Sequence, residues 1–142
     1  MLIFPGPEDV LYYAGKTFTA EWYYTKNGDL PALAYYRNLR ETEQNRLDHM
    51  IKYLADNPIG TRLPETMYRI EDHENKIYAL KAGAERFFNF MTVHKKIVIT
   101  NAYHKHSQKM TKQDMEKLEI SVRYRADYLR RIKEGSYYEK EA

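Results

Sequence analysis

The sequence contains no cysteine. This absence excludes a disulfide framework and thiolate metal sites, and it suits a reducing compartment. Long apolar runs are absent as well. The apolar N-terminus, residues 1–4, stops at Pro5-Gly6-Pro7 and is too short for a signal peptide or a membrane span. With no internal repeat and no linker, the 142 residues predict one cytoplasmic domain without a membrane segment.

Aromatic residues are abundant, and 14 of them are tyrosines. Together with a hydrophobic fraction of 43%, this composition excludes a disordered chain. Tyrosine rings serve either the wet edge of a core or a surface on which nucleic-acid bases stack. We expect most of them to lie in the core.

Positive charge is concentrated in one part of the chain. The formal net charge is only +3, yet residues 76–112 hold eight lysines and arginines against a single acid, Glu85. The rest of the chain is therefore net negative. Because this basic segment is also rich in predicted strands, we expect it to bind an anionic ligand, with nucleic acid as the leading candidate.

The first half of the chain predicts a strand and two helices. Residues 17–24 are β-branched and aromatic, which favours a strand. Pro31 suits the first turn of a helix that runs to about Leu39. A second helix is expected over residues 42–57, since its apolar residues recur at i, i+3, i+4 and i+7: Leu47, Met50, Ile51 and Leu54. The two helices are predicted to form a hairpin against a sheet. Residues 1–16 are treated as an N-terminal extension.

The second half predicts a strand meander and a final helix. A short strand at residues 67–70 precedes strands 77–81, 86–93 and 96–103, joined by turns at 82–84 and 94–95. The last two strands are almost continuously apolar, which indicates a sheet covered on both faces.

The final helix is predicted from a capping box. Thr111 with Asp114 opens it, and it ends near Gly135. Its predicted inner side consists of Met115, Leu118, Val122 and Leu129. Residues 136–142 are expected to form a frayed tail, so the folded domain is predicted to span residues 17–135. The fold class is α+β.

Three motifs in register carry a resemblance to a known family. They are residues 77–81 (IYALK), residues 85–90 (ERFFNF) and residues 98–113 (VITNAYHKHSQKMTKQ). In their order and spacing, from about Thr17 to Arg131, the chain resembles the RelE/HigB-like type II toxins, particularly the phage-derived branch. It departs from the family pattern at Lys81, Glu85 and His106, where the family has an arginine, an aromatic residue and a lysine.

The resemblance implies a fold and an activity. The fold is an N-terminal strand and a helical hairpin packed on a small, twisted, mainly antiparallel sheet with a C-terminal helix. The activity is that of a toxin that cleaves mRNA, usually on the ribosome, without metal or cofactor. The nucleophile would be the 2′-hydroxyl of the RNA itself. The implied partner is a small helix-turn-helix antitoxin encoded next to the toxin.

Five residues are candidates for catalysis. Arg86 and Lys81 would hold phosphate oxygens and stabilise the charge of the transition state. His104 and His106 share a side of an extended segment, and an imidazole serves as general base or acid near neutral pH. Tyr128 stands where the family has an acid–base tyrosine near the C-terminus, and packing is its alternative role.

Three lysines, Lys105, Lys109 and Lys112, are candidates for binding RNA phosphates. Two other interpretations of this basic turn stay open: a simple solvated loop, and a His-x-His metal clip for which no third ligand lies nearby in the sequence. A further set of rings can either stack on bases or build the core, with the core favoured for most of them: Tyr78, Phe87, Phe88 and Tyr103.

Two other functions fit the same fold. A ParE-like toxin blocks DNA gyrase by binding and needs no acid–base group. A phage-type protein can also bind RNA without cutting it. Removing the imidazoles of His104 and His106 separates the first of these from a nuclease, because a gyrase inhibitor keeps its toxicity.

Overall fold

The computed structural model describes residues 10–138, and this part of the chain folds into an α+β structure with a six-stranded mixed sheet. The strands are β1 (Leu11–Ala14), β2 (Thr19–Trp22), β3 (Tyr68–Asp72), β4 (Ile77–Ala82), β5 (Glu85–Met91) and β6 (Lys96–His104). The helices are α1 (Pro31–Arg37), α2 (Glu41–Asp56) and α3 (Lys112–Glu134). No helix within residues 10–138 has both the length and the apolar character needed to cross a membrane.

The sheet has the order β1-β2-β6-β5-β4-β3. Strand β2 runs parallel to β6, with Thr19 opposite Lys96, and all the other pairings are antiparallel. The longest strand, β6, lies at the centre. Five consecutive β6 residues, 97–101, are buried, because neighbouring strands and both flanking layers cover them.

Helices cover both faces of the sheet, as the apolar β5 and β6 predict. On one face lie α1 and α2, and the predicted stripe of α2 is buried against Trp22, Leu80 and Phe87. On the other face, α3 contributes Leu118 and Tyr128 to a second core. Two separate hydrophobic clusters therefore sandwich one sheet.

Helix α3 begins as predicted, and its inner side is predicted in part, since Leu118 is buried and Val122 packs against the core. The capping box of Thr111 and Asp114 is formed, and Gly135 ends the helix with a φ of 76°. Met115 and Leu129 were expected inside but are exposed. Besides Leu118, the buried positions are Asp114, Ser121, Tyr128 and Arg131. Polar side chains occupy this face because each finds a partner there. The Ser121 hydroxyl, for example, lies 2.7 Å from that of Thr100.

Both ends of the predicted domain are extended by ordered structure. Strand β1 was not predicted, and its pairing with β2 makes it an edge strand of the sheet, so the domain begins before Thr17. The tail is not frayed at residues 136–138. Tyr137 is only 1% exposed, and its hydroxyl accepts a hydrogen bond from the backbone N–H of Tyr24 at 3.1 Å. Residues 1–9 and 139–142 lie outside the described part.

The two hairpins of the meander differ in their turns. Gly83 and Ala84 connect β4 to β5, and the left-handed φ of 66° at Gly83 is the conformation that glycine adopts most readily. Between β5 and β6 the connection is residues 92–95, longer than the predicted two-residue turn. Strand β5 ends at Met91, and the N–H of Lys95 bonds the carbonyl of Thr92 at 3.1 Å, which makes residues 92–95 a four-residue turn.

Candidate functional site

A basic pocket opens at the end of the sheet where β4 turns into β5 and β6 ends. Its volume is about 620 Å³, and it lies on the α3 side of the sheet, between β3, β4 and the loop of residues 105–110. We call it the basic pocket. Its charged and titratable lining residues are Arg69, Glu71, Lys81, Arg86, Lys105 and His106. Four basic side chains against one carboxylate make the pocket attractive to an anion.

The register of the meander brings Lys81 and Arg86 together. Lys81 is opposite Arg86 on β5, and Arg86 is opposite Tyr103 on β6, so the three side chains share one face. Arg86 donates a hydrogen bond to the carbonyl of Gly83 at 2.7 Å, which ties its guanidinium to the turn. This bond limits the rotamers of Arg86 and fixes its position in the wall of the basic pocket.

Lys81 is a candidate for proton transfer as well as for phosphate binding. Burial lowers the pKa of its ammonium group, and the positive charges of Arg86 and Arg69 lower it further, against the opposing effect of Glu71 and Glu65. A lysine with a lowered pKa loses its proton more readily near neutral pH. The direction of this shift is the one that a general base or acid near neutral pH needs.

Arg69 is a pocket residue that the sequence analysis missed. It lies on β3 opposite Ala79 of β4, and its side chain is largely exposed beside Glu71. The predicted strand at residues 67–70 was the available signal. Without the β3–β4 pairing, however, nothing indicated that its arginine shares a face with Lys81.

Lys105 holds the pocket wall in place. Its ammonium donates to the carboxylate of Asp114 at 3.0 Å and to the carbonyl of Lys109 at 3.1 Å. Although burial opposes ionisation, the N–H of Thr111 and the ammonium of Lys105 together lower the pKa of Asp114, so this ion pair is maintained at neutral pH. Lys105 therefore attaches the loop to the start of α3. Lys109 and Lys112 are exposed and lie outside the pocket lining.

The two histidines have different surroundings, in contrast to the expectation that they share a side. His106 lines the basic pocket. His104 is opposite Glu85, and its Nδ1 lies 2.8 Å from the carboxylate, which also accepts a hydrogen bond from Tyr35 of α1. The direction of side chains alternates regularly only along a strand. Strand β6 ends at His104, and His106 belongs to the following loop. The two rings nevertheless touch, with centroids 4.7 Å apart.

Tyr128 is not brought to the basic pocket. It is 3% exposed and packs edge-on against Phe90, with its hydroxyl 2.9 Å from that of Tyr138. Burial raises the pKa of Tyr128 to about 12. It borders a different, smaller cavity beside His94 and Lys96, near the start of β6. The structure thus gives this residue a packing role, the alternative that the sequence left open.

Most of the candidate stacking rings belong to the core. Phe87 and Phe88 are fully buried, and Tyr78 stacks on Tyr68 away from the basic pocket, at a centroid distance of 4.9 Å. Tyr103 stacks on Phe88 and is 7% exposed, but its edge reaches the pocket lining. Of the four candidates, only Tyr103 is positioned to touch a ligand in the pocket.

The positive charge of residues 76–112 is divided between two ends of the sheet. Lys76 and Lys96 lie at the end remote from the basic pocket, and Lys96 pairs with Glu21 at 2.6 Å. Within residues 10–138, no three histidine, aspartate or glutamate side chains are grouped to hold a metal ion.

No model of a known protein family matches the chain, and no curated protein matches it either.

Proposed function

We propose that this protein has a RelE-like fold, is the toxin of a type II toxin–antitoxin pair, and cleaves mRNA in the cytoplasm at the basic pocket. One observation carries the proposal: Lys81, Arg86 and His106 converge in a single concave pocket. Arginine and lysine bind phosphate, and imidazole and a lysine of lowered pKa transfer protons. These are the groups that metal-independent RNA cleavage requires.

The proposed reaction is an internal displacement at phosphorus. The 2′-oxygen of the RNA loses its proton to a base and forms a bond to the adjacent phosphorus. The bond from phosphorus to the 5′-oxygen then breaks, and that oxygen takes up a proton. Arg86 holds the crowded phosphorane through two donors of its guanidinium. Lys81 and His106 are the proposed proton carriers, and the products are a 2′,3′-cyclic phosphate and a 5′-hydroxyl end.

Binding of the flanking RNA is assigned to residues around the pocket. Arg69 lies within it, and the exposed Lys109 and Lys112 follow along the loop and the first turn of α3. A net charge of +3 is low for a protein that holds free RNA by itself. We therefore propose that the ribosome supplies part of the binding, and that a neighbouring helix-turn-helix antitoxin covers the basic pocket.

Induced expression with transcript mapping tests the proposal. Cells that express the chain alone should stop growing and accumulate new mRNA 5′ ends, and co-expression of the adjacent reading frame should prevent both effects. Arg86→Gln and Lys81→Met should each lower cleavage by about 10²–10³-fold, because each removes charge stabilisation from the transition state. Lys52→Met is the control, since Lys52 is exposed on α2, on the other face of the sheet.

The outcomes separate the competing functions. Growth arrest without new 5′ ends would reject the nuclease and point to gyrase, which a supercoiling assay then checks. If the cells show neither growth arrest nor transcript cleavage, the remaining function is that of a non-catalytic RNA-binding protein. Unchanged cleavage in Arg86→Gln would show that the basic pocket is not the active site.

A further inference from the structure

Glu85 is the centre of a hydrogen-bonded array beside the basic pocket. One carboxylate oxygen accepts the hydroxyl of Tyr35, and the other lies 2.8 Å from Nδ1 of His104. The Glu85 side chain is only 12% exposed, which strengthens its bonds to these partners. Burial and the bond to Glu85 raise the pKa of Tyr35, so its hydroxyl keeps its proton and acts as the donor.

This array fixes the tautomer of His104. An ionised carboxylate has no proton to donate and can only accept hydrogen bonds. Nδ1 of His104 must therefore carry a proton. The imidazole is held by this bond, although about half of its surface is exposed.

His106 depends on His104 for its orientation. Its ring meets the His104 ring at a centroid distance of 4.7 Å and an interplanar angle of 62°. His106 itself is exposed on a loop, and its imidazole makes no hydrogen bond to any other residue of the described range 10–138. The contact with the His104 ring is therefore the feature of the described residues that can orient the His106 imidazole.

We propose that Tyr35, Glu85 and His104 are positioning residues that hold the imidazole of His106 at the rim of the basic pocket. The inference rests on the proposed function, and it assigns a different role to each of the two histidines. His106 meets the RNA, whereas His104 acts through His106. Glu85, which stands where the resembling family has an aromatic residue, is then a specific feature of this chain's site.

Glu85→Gln tests the array without changing its shape. The amide carries no charge and its nitrogen can only donate, whereas the Tyr35 hydroxyl can donate or accept. If the nitrogen faces His104, the proton of Nδ1 must move to Nε2; if it faces Tyr35, the neutral amide oxygen replaces the carboxylate at Nδ1. Long-range ¹H–¹⁵N correlation spectra of the full chain with labelled histidines distinguish the two arrangements, and the ring signals of His104 change in both. We expect the ring signals of His106 to shift with them.

Glu74→Gln is the matched control, since Glu74 is exposed in the loop between β3 and β4. It should leave both histidine spectra unchanged. Ring signals of His106 that are the same in Glu85→Gln and in the wild type would overturn the inference. This result does not require any RNA cleavage, so it is informative even if the proposed function fails.

Kinetics supply the second measurement. Glu85→Gln and Tyr35→Phe should lower kcat by about 10-fold at unchanged KM, because a misaligned imidazole loses part of its acid–base contribution while phosphate binding persists. Loss of structure would instead lower the unfolding midpoint, so kcat is compared at a temperature where each variant is fully folded. Wild-type kcat in both variants would contradict a positioning role. Absence of cleavage in the wild type would reject the proposed function and leave the spectra to decide the inference.

Discussion

Arg131 is the most completely buried basic residue of α3, with 5% exposure. Its guanidinium donates to the carboxylate of Asp127 and to the carbonyl of Tyr24, each at 2.8 Å. It also lies between the rings of Tyr24 and Tyr137, at 4.5 and 4.6 Å from their centroids. Burial opposes ionisation of Asp127, but bonds from Tyr23 and Arg131 outweigh it and lower the pKa of this carboxyl. Asp127 therefore stays ionised and paired.

We expect Arg131→Met to lower the free energy of unfolding by about 2–4 kcal/mol, since it removes a buried guanidinium together with its bonds to Asp127 and to the carbonyl of Tyr24. Arg130→Met is the matched control. Arg130 also binds Asp127, at 2.6 Å, but its side chain is 45% exposed, so its loss should cost less than about 1 kcal/mol. Urea denaturation of the three proteins measures the difference. Equal losses in the two variants would contradict this account.

At the scale of elements, local signals were sufficient for α2 and for the start of α3. The apolar stripe of α2 and the capping box at Thr111 each lie within a few residues of sequence. Strand β1 was not predicted because it has only four residues and is stabilised as a strand by its pairing with β2. The inner side of α3 was predicted only in part because Asp114 and Arg131 are buried through their ion partners, which hydrophobic periodicity does not detect.

The same difference between local signals and contacts made by folding explains which residues of the basic pocket were predicted. Lys81 and Arg86 were predicted from the family resemblance, and a short hairpin places them opposite each other. Arg69 joins Lys81 and Arg86 only because β3 pairs with β4. The position of His106 depends on the residue at which β6 ends. Tyr128 was wrongly included in the site because its position along a 23-residue helix does not reveal which end of the sheet it contacts.

The junction between β1 and α2 gives a test at this scale. A Cβ on Gly15 would lie 2.5 Å from the carbonyl oxygen of Ala55, which also accepts the N–H groups of Thr17 and Phe18. We expect Gly15→Ala to force the two elements apart and to lower the free energy of unfolding by about 1–3 kcal/mol. Amide exchange at Thr17 and Phe18 should accelerate.

Lys16→Ala serves as the control for this junction, because the Lys16 side chain is exposed and only its backbone N–H bonds to Asp56. Its unfolding midpoint should match the wild type. An unchanged midpoint in Gly15→Ala would show that the close approach of the two backbones is not needed.

For the whole molecule, the described C-terminal residues complete the core on the α3 face. Tyr137 packs against Tyr24 and Tyr128, at centroid distances of 4.5 Å each. We expect Tyr137→Ala to lower the free energy of unfolding by about 3–5 kcal/mol, since it empties a filled site. Tyr53→Ala removes a ring that is 46% exposed and should change stability by only about 0.5 kcal/mol. Similar thermal midpoints for the two variants would refute the packing role of Tyr137.

The parallel pairing of β2 with β6 also has a consequence for the order of synthesis. Thr19 leaves the exit tunnel early, but its partner Lys96 is translated much later, and β6 separates β2 from the rest of the sheet. A nascent chain cannot join its first strands to the later meander until β6 has emerged. We therefore expect a polypeptide interrupted before that point to remain unfolded, so that the proposed activity arises only after most of the chain has been made.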